Sequence, residues 1–310
     1  MNDKKYAIGV DIGGTYTKFA LVDEAGNITR EQRIRTDSFS TPEDFVQGLC
    51  LHLQSILDQH KERSPIRGIG IGAPSANYHT GVINGSANLP WRTYIPLRDM
   101  VAAQMVGMHT VVTNDAKAAA LGEMQFGVAK GMKDFMVITL GTGIGSGIVS
   151  NGQLIYGHDG MAGEVGHIIA KPNGRPCGCG RKGCLETYAS ATGILVTAQK
   201  IMLANKLIPF ETSQEITDAA MMGNPMAMEI FNQTGKVLGK ILAHVHTVIS
   251  PEAIIFFGGL ANAREYLLVP TQKAFEEELL FVYKERKPQF LVSALQHKNA
   301  AILGAAALVF

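Results

Sequence analysis

The sequence is short of cysteine, of net charge and of long apolar runs, and each shortage removes a class of protein. Four cysteines in 310 residues cannot form a disulfide framework. Lys and Arg number 28 against 27 Asp and Glu, a formal charge of +1. Such near-neutrality leaves no electrostatic footprint for nucleic acid or an anionic membrane surface. The longest apolar run, the C-terminal AAILGAAALVF, falls short of the roughly 20 residues that cross a bilayer. The start, Met1-Asn2-Asp3-Lys4-Lys5, offers no apolar core of signal-peptide length. No fixed-period repeat or low-complexity linker is present. The expectation is a cytoplasmic protein with neither a nucleic-acid nor a membrane partner.

What is present is an ordinary globular balance, 46% hydrophobic and 18% charged, which excludes wholesale disorder. A chain of this length suggests two domains or one large one. Glycine is abundant at 34 residues, about 11% against a usual ~7%. Tyr6 to Val22 alternates apolar residues around Gly13-Gly14, the pattern of two strands and a tight turn. Thr41 to Gln59 reads as a helix, with Pro42 in the first turn and Phe45, Leu49, Leu53 and Ile56 at helical spacing. Ile66 to Ala73, Thr110 to Thr113 and Phe135 to Leu140 read as strands. A second strand pair turns at Asn151-Gly152. Gly157 to Gly183 reads as an irregular loop, and helices dominate from about Ala191. Strand-rich openings followed by helices, twice over, point to two α/β domains.

Several clusters carry chemistry. In Asp11-Ile12-Gly13-Gly14-Thr15-Tyr16-Thr17-Lys18, the glycine pair lets backbone N–H groups approach an anion. Thr15, Thr17 and Lys18 add donors, and Asp11 can hold Mg²⁺ through water. The string Gly141-Thr142-Gly143-Ile144-Gly145-Ser146-Gly147 resembles a dinucleotide fingerprint. That fingerprint needs a helix directly after its glycines, whereas this chain continues as a strand, so a phosphate nest is expected instead. Gly258-Gly259 ends another strand and is either a third ligand edge or a simple turn. Asn114-Asp115 opens an Ala-rich helix. It is either an N-cap or a general base for a hydroxyl that attacks a phosphoryl group.

His167, Cys177, Cys179 and Cys184 follow the pattern H-x9-C-x-C-x4-C. Three thiolates and an imidazole suit a closed, tetrahedral, structural Zn²⁺ site. A glycine-rich loop without its own core also needs such a staple. Glu164, His167 and Glu186 form a polar set suited to sugar hydroxyls, with Asn88 as a further polar contact. Trp91 can stack on a sugar or pack inside. His244 and His246 lie two apart on a helix, do not share a face, and read as surface or packing residues.

DIGGTYTK (Asp11 to Lys18), NDAKAAALGE (Asn114 to Glu123), LGTGIGSGIV (Leu140 to Val149), AGEVGH (Ala162 to His167) and CGCGRKGCLE (Cys177 to Glu186) together resemble the ROK family of sugar kinases. This family falls within the actin/hexokinase/Hsp70 ATPase superfamily. The resemblance implies an α/β, two-domain, actin-like ATPase (ribonuclease H-like) fold with a ligand cleft between the domains. It implies a small first domain, residues 1–115, completed by a C-terminal helix at 297–310. A larger domain, 116–296, would carry the zinc loop. Asp115 becomes the catalytic base. Asn88, Asn114, Asp115, Glu164, His167 and Glu186 become sugar contacts. Gly13, Gly14, Thr15, Lys18, Thr142, Gly143 and Gly259 become nucleotide contacts, beside Asp11, Thr17, Gly145 and Gly258 from the residue reading. The ligands implied are ATP, Mg²⁺, structural Zn²⁺ and a hexose, and the assembly implied is a homodimer.

The activity implied is ATP-dependent transfer to the 6-hydroxyl of a hexose, glucose first. Mannose, fructose, allose and N-acetylhexosamines are alternatives, and polyphosphate is an alternative donor. A family repressor would carry a helix-turn-helix ahead of this core, yet DIGGT begins ten residues in, so an enzyme is expected over a sugar-binding regulator. An actin- or chaperone-like ATPase would have no use for the zinc loop and sugar set. Two departures stand out. Gly72-Ala73-Pro74-Ser75-Ala76-Asn77-Tyr78 differs from the Gly-Ala-Pro-Gly turn common in the family, at the expected sugar edge. Ser146 replaces a frequent glycine.

Overall fold

The computed structural model describes residues 4–60, 64–86, 88–295 and 299–310. The chain divides into two compact units. The first comprises Met1–Gly131, Leu154–Ala162 and Ala294–Phe310, the second Met132–Gln153 and Gly163–Ser293.

In the first unit β1 (Tyr6–Ile12) turns at the glycine pair into β2 (Tyr16–Asp23), which pairs antiparallel with β1 and with β3 (Ile28–Arg35). Helix α1 (Pro42–Gln59) starts where its sequence signals place it. Thr41 caps it by accepting from the Asp44 amide at 3.1 Å, and Pro42 sits in the first turn. Its Phe45, Leu49, Leu53 and Ile56 are all buried. Next come β4 (Ile66–Ala73), the short pair β5 (Ile83–Asn84) and β6 (Tyr94–Ile95), α2 (Leu97–Gln104), β7 (Thr110–Asn114) and α3 (Asp115–Phe126). The sheet order is β3-β2-β1-β4-β7, with β1, β4 and β7 parallel.

The second unit holds β8 (Phe135–Leu140), β9 (Ile144–Ser150), the edge strand β10 (Gln153–Leu154), α4 (Glu186–Ala189), α5 (Ala191–Ala204), α6 (Ser213–Met221), α7 (Pro225–Ile249), β11 (Ala253–Phe257), α8 (Glu265–Glu278) and β12 (Gln289–Val292). Its sheet order is β10-β9-β8-β11-β12. Numbered within each five-stranded sheet, both orders read 3-2-1-4-5, so the shared layout of the two halves extends to strand order. The β9–β10 turn is Asn151-Gly152 with φ of 51° and 74°, the two positive values that the Asn-Gly pair is suited to supply.

The C-terminal helix, Ala300–Ala307, packs on β1, β4 and α3 in the first unit. It approaches so closely that only glycine fits beneath it. A methyl group on Gly9 would strike the Ile302 carbonyl, and one on Gly70 the Ala305 carbonyl. Gly70→Ala should therefore destabilise the protein by about 2–3 kcal/mol, the upper range for overpacking, and lower Tm by roughly 5 °C. Scanning calorimetry of the variant checks this; an unchanged Tm would mean the helix does not seat there. Residues 296–298, where that helix was expected to begin, lie outside the described residues. The compact-unit division keeps α3 in the first unit and adds the returning segment Leu154–Ala162.

Candidate active site

Register places the first cluster. Asp11 on β1 lies beside Gly72 on β4, and Ala73 lies beside Asn114 on β7. The C-terminal ends of parallel strands are where open α/β sheets bind ligands. Asn114 is the N-cap of α3: its Oδ1 accepts from the amides of Ala116 at 3.0 Å and Lys117 at 3.4 Å. Asp115 is then the first helical residue, with Oδ1 accepting from the Ala116 amide at 2.8 Å. Capping belongs to Asn114, which leaves Asp115 poised above the helix N-terminus. A methyl group on Gly72 would press on Ala118 Cβ at 3.3 Å, so this glycine lets α3 pack closely on β4.

Electrostatics single out the two aspartates. Asp115 keeps solvent access, yet the protein mass around it excludes much of the water that would stabilise a charge. That desolvation raises its pKa, opposed by hydrogen bonds from Ala116, its own amide and Asn114, and by the Lys117 charge. Asp11 is pushed up to about 7, first by burial and then by the Asp115 charge, with Lys18 opposing. Two mutually repelling, poorly hydrated carboxylates suit a divalent cation that also takes phosphate oxygens, which is the preference of Mg²⁺.

The glycine turn is adjacent. Gly13 donates to the Tyr16 carbonyl at 3.0 Å, and Gly14 backs so closely on the Asn88 carbonyl that a side chain would collide. Asn88 is thereby brought to the turn and remains exposed. Thr15 and Lys18 are exposed donors. Thr17 is fully buried, and its hydroxyl pairs with that of Thr36 at 2.8 Å, so it braces the hairpin from inside. Trp91 is a packed aromatic, 5.1 Å from Phe45 between ring centres and donating to the Phe39 carbonyl.

The second unit repeats the device. β8 ends at Gly141-Thr142-Gly143, and β11, parallel to it, ends at Gly258-Gly259. The string after Gly143 is strand β9, as expected, and not a helix. Gly258 has φ of 104° and lies against the Leu140 backbone, so the position requires glycine. Gly259 faces open space and Thr142 is exposed. Gly145 lies within β9, its amide donating to Thr139 Oγ1 at 3.0 Å. Glu186, the first residue of α4, accepts from the Ile144 amide at 3.1 Å and leaves no space for a side chain on Gly143. Ser146 donates to the Gly163 carbonyl, one residue before the exposed Glu164.

His167, Cys177, Cys179 and Cys184 converge, with ligand atoms all within 4.8 Å of one another. Cys179 Sγ is 3.6 Å from Cys184 Sγ, and Cys177 Sγ is 3.7 Å from His167 Nδ1. Both separations are close to the ~3.8 Å edge of a tetrahedron with Zn–S of about 2.3 Å, and far from a disulfide bond. The Arg181 amide and side chain pull the Cys179 thiol down, while burial pushes Cys177 and Cys184 up. Three thiolates are held together only by a cation, so the donor set fits Zn²⁺. With Nδ1 on the cluster, His167 keeps its other nitrogen for a second partner.

Residues 7–310 match the description of one family, ROK. The chain belongs to the ROK family. It is 37% identical to the glucokinase of Halalkalibacterium halodurans, over 89% of this chain and 86% of that protein. It is 31% identical to the N-acetylmannosamine kinase of Escherichia fergusonii, over 97% of each. Among solved structures it is similar to a ROK family glucokinase from Streptomyces griseus in complex with glucose and AMPPNP. That likeness has a TM-score of 0.80 and 34% identity, covering 98% of this chain and 99% of that one. The fold is therefore the two-domain, actin-like α/β fold of ROK sugar kinases.

Sequence reasoning passed over the returning segment. Within the first unit Tyr156 stacks on Tyr78 at 3.9 Å, Asn77 donates to the Asp159 carbonyl at 2.6 Å, and His79 Nε2 meets the Gly157 carbonyl at 3.0 Å. Lys117 was also overlooked. Its signal was a lone cation in the run Ala116-Lys117-Ala118-Ala119-Ala120, which is buried throughout. His246 proves to be a packing residue, 1% exposed and edge-on to Phe275 and Tyr283.

Proposed function

We propose that this protein is a glucokinase that transfers the γ-phosphoryl group of ATP to the 6-hydroxyl of glucose. The observation that carries the reading is Asp115, at the head of α3 with a raised pKa, in a chain that aligns along most of its length with glucokinases. Asp115 takes the proton of the sugar hydroxyl as that oxygen attacks phosphorus. Asn88, Asn114, Glu164, His167 and Glu186 bind and orient the sugar. Gly13, Gly14, Thr15, Lys18, Thr142, Gly143, Gly258 and Gly259 are the nucleotide contacts of this reading. Asp11 would hold Mg²⁺, which would supply charge neutralisation at the phosphates. His167, Cys177, Cys179 and Cys184 would supply four ligands to a zinc ion, which suits a structural and not a catalytic role. We place the enzyme in the cytoplasm, consistent with four free cysteines, and infer a homodimer, which light scattering of the eluted protein tests.

ADP release from Mg·ATP across glucose, mannose, fructose, allose, N-acetylglucosamine and N-acetylmannosamine, against a sugar-free blank, tests the assignment. Glucose should stimulate turnover far above every other sugar. Preference for N-acetylmannosamine would keep the kinase and reassign the substrate. Silence with all six in zinc-replete protein would overturn the kinase reading.

A further inference from the structure

The strongest unassigned feature is a buried cation. Lys117 is 3% exposed on α3, where a lysine is rare unless its ammonium has partners. Its Nζ donates to the Gly160 carbonyl at 3.0 Å. Gly160 belongs to the segment Leu154–Ala162, which returns to the first unit before the chain passes into the second at Gly163. The rest of that segment is also tied down within the first unit. Asp159 accepts from Asn77, Gly157 from His79, and Tyr156 stacks on Tyr78. The other side of the crossing is held within the second unit by Ser146 on the Gly163 carbonyl. Gly160 and Gly163 have φ of 82° and 90°, so both ends of the crossing use backbone that favours glycine. Glu164 and His167 follow at once.

We propose that Lys117 is a positioning residue for Glu164 and His167: its ammonium pins Gly160 to α3 and so fixes the start of the segment that carries them. The inference rests on the sugar-binding reading of those two residues. An ammonium-to-carbonyl bond in a dry place is charge-assisted and strong. Its loss leaves a buried carbonyl without that donor and frees the crossing at its first anchor. Only three residues, Met161, Ala162 and Gly163, separate Gly160 from Glu164, so little slack exists to absorb the movement. Displacements near 1 Å in such positioning elements can reduce function by two orders of magnitude. The anchor also sits two residues from Asp115 on the same helix, so one rigid element sets both the base and the start of the sugar-binding segment.

The test compares the parent with K117M, K117Q and K117R. For K117M the KM for glucose should rise at least ~10-fold while that for Mg·ATP stays within about twofold. K117R, which keeps a cationic donor, should recover most of the loss. Amide exchange in ligand-free protein gives a second reading. The amides of Met161, Ala162 and His167 are bonded to Asp159, Tyr156 and Glu164 and should exchange at least ~10-fold faster in K117M. K117Q, neutral and shorter, keeps the test standing if K117M does not fold. Equal rises in both KM values, or unchanged glucose KM with unchanged exchange, would overturn the proposal. A parent that no sugar stimulates defeats the kinase reading separately, and the exchange rates then decide the anchor alone.

Discussion

Asp115→Asn is expected to lose at least ~10²-fold in kcat, the lower range for removal of a general base, while still binding sugar. The geometry makes the substitution clean. Asn114 supplies the cap of α3, and an amide oxygen at 115 can still accept from Ala116. The helix should survive intact with only the proton acceptor gone. The same change should raise stability. Asp115 and Asp11 both have pKa values raised by desolvation, Asp11 to about 7, and Asp11 is raised further by Asp115. A carboxyl whose pKa rises on folding binds more protons in the native state than in the unfolded one. Stability therefore falls as pH climbs from about 4 through 7. Removing one of the two like charges should lift Tm at pH 7.5, measured without Mg²⁺ or nucleotide, and change it little at pH 4. A variant that is slow and no more stable at pH 7.5 would deny the repulsion; near-normal kcat would sink Asp115 as the base.

Removal of zinc should have the second large effect. Chelation is expected to abolish glucose-dependent turnover, because a zinc ion on His167, Cys177, Cys179 and Cys184 would tie together the loop between Gly163 and Glu186. That loop carries Glu164 and His167, and Glu186 follows Cys184 by two residues. Partial support exists without metal. Arg175 donates to the carbonyls of Thr187 and Gly193 and to Thr197 Oγ1, and its guanidinium lies 4.5 Å from the Tyr188 ring centre. These contacts hold the distal loop to α4 and α5, so the loss should be local. Far-UV circular dichroism should change little while activity disappears, and added Zn²⁺ should restore it. Full turnover in protein shown by elemental analysis to be metal-free would contradict this.

Much of this was legible in the residues. The alternation around Gly13-Gly14, the cap and first-turn proline of α1 and the Asn-Gly turn after β9 are local rules obeyed locally. The zinc set was legible because its four ligands lie within one loop and its chemistry is exclusive. Thr17 was not legible: as a strand residue two after the turn it resembles a donor, and only its neighbour Thr36 shows that the hydroxyl faces inward. The returning segment was not legible either. Leu154–Ala162 lacks periodicity, and its partners Asn77, Tyr78, His79 and Lys117 are far away in sequence. Side-chain contacts at that separation leave no mark on spacing.

The seat of the C-terminal helix on Gly9 and Gly70 has a consequence for biosynthesis. Strand β1, Tyr6–Ile12, is covered by a helix, Ala300–Ala307, that leaves the ribosome long after it. At about 5–20 residues per second, the face of β1 and β4 stays open for on the order of 15–60 s after β1 emerges. The second unit, whose segments all precede Ala294, can close during that interval. The unit whose sheet is made earlier is thus the one that is completed later, and a stop codon ahead of Ala300 would strike the sheet that contains Tyr6–Ile12.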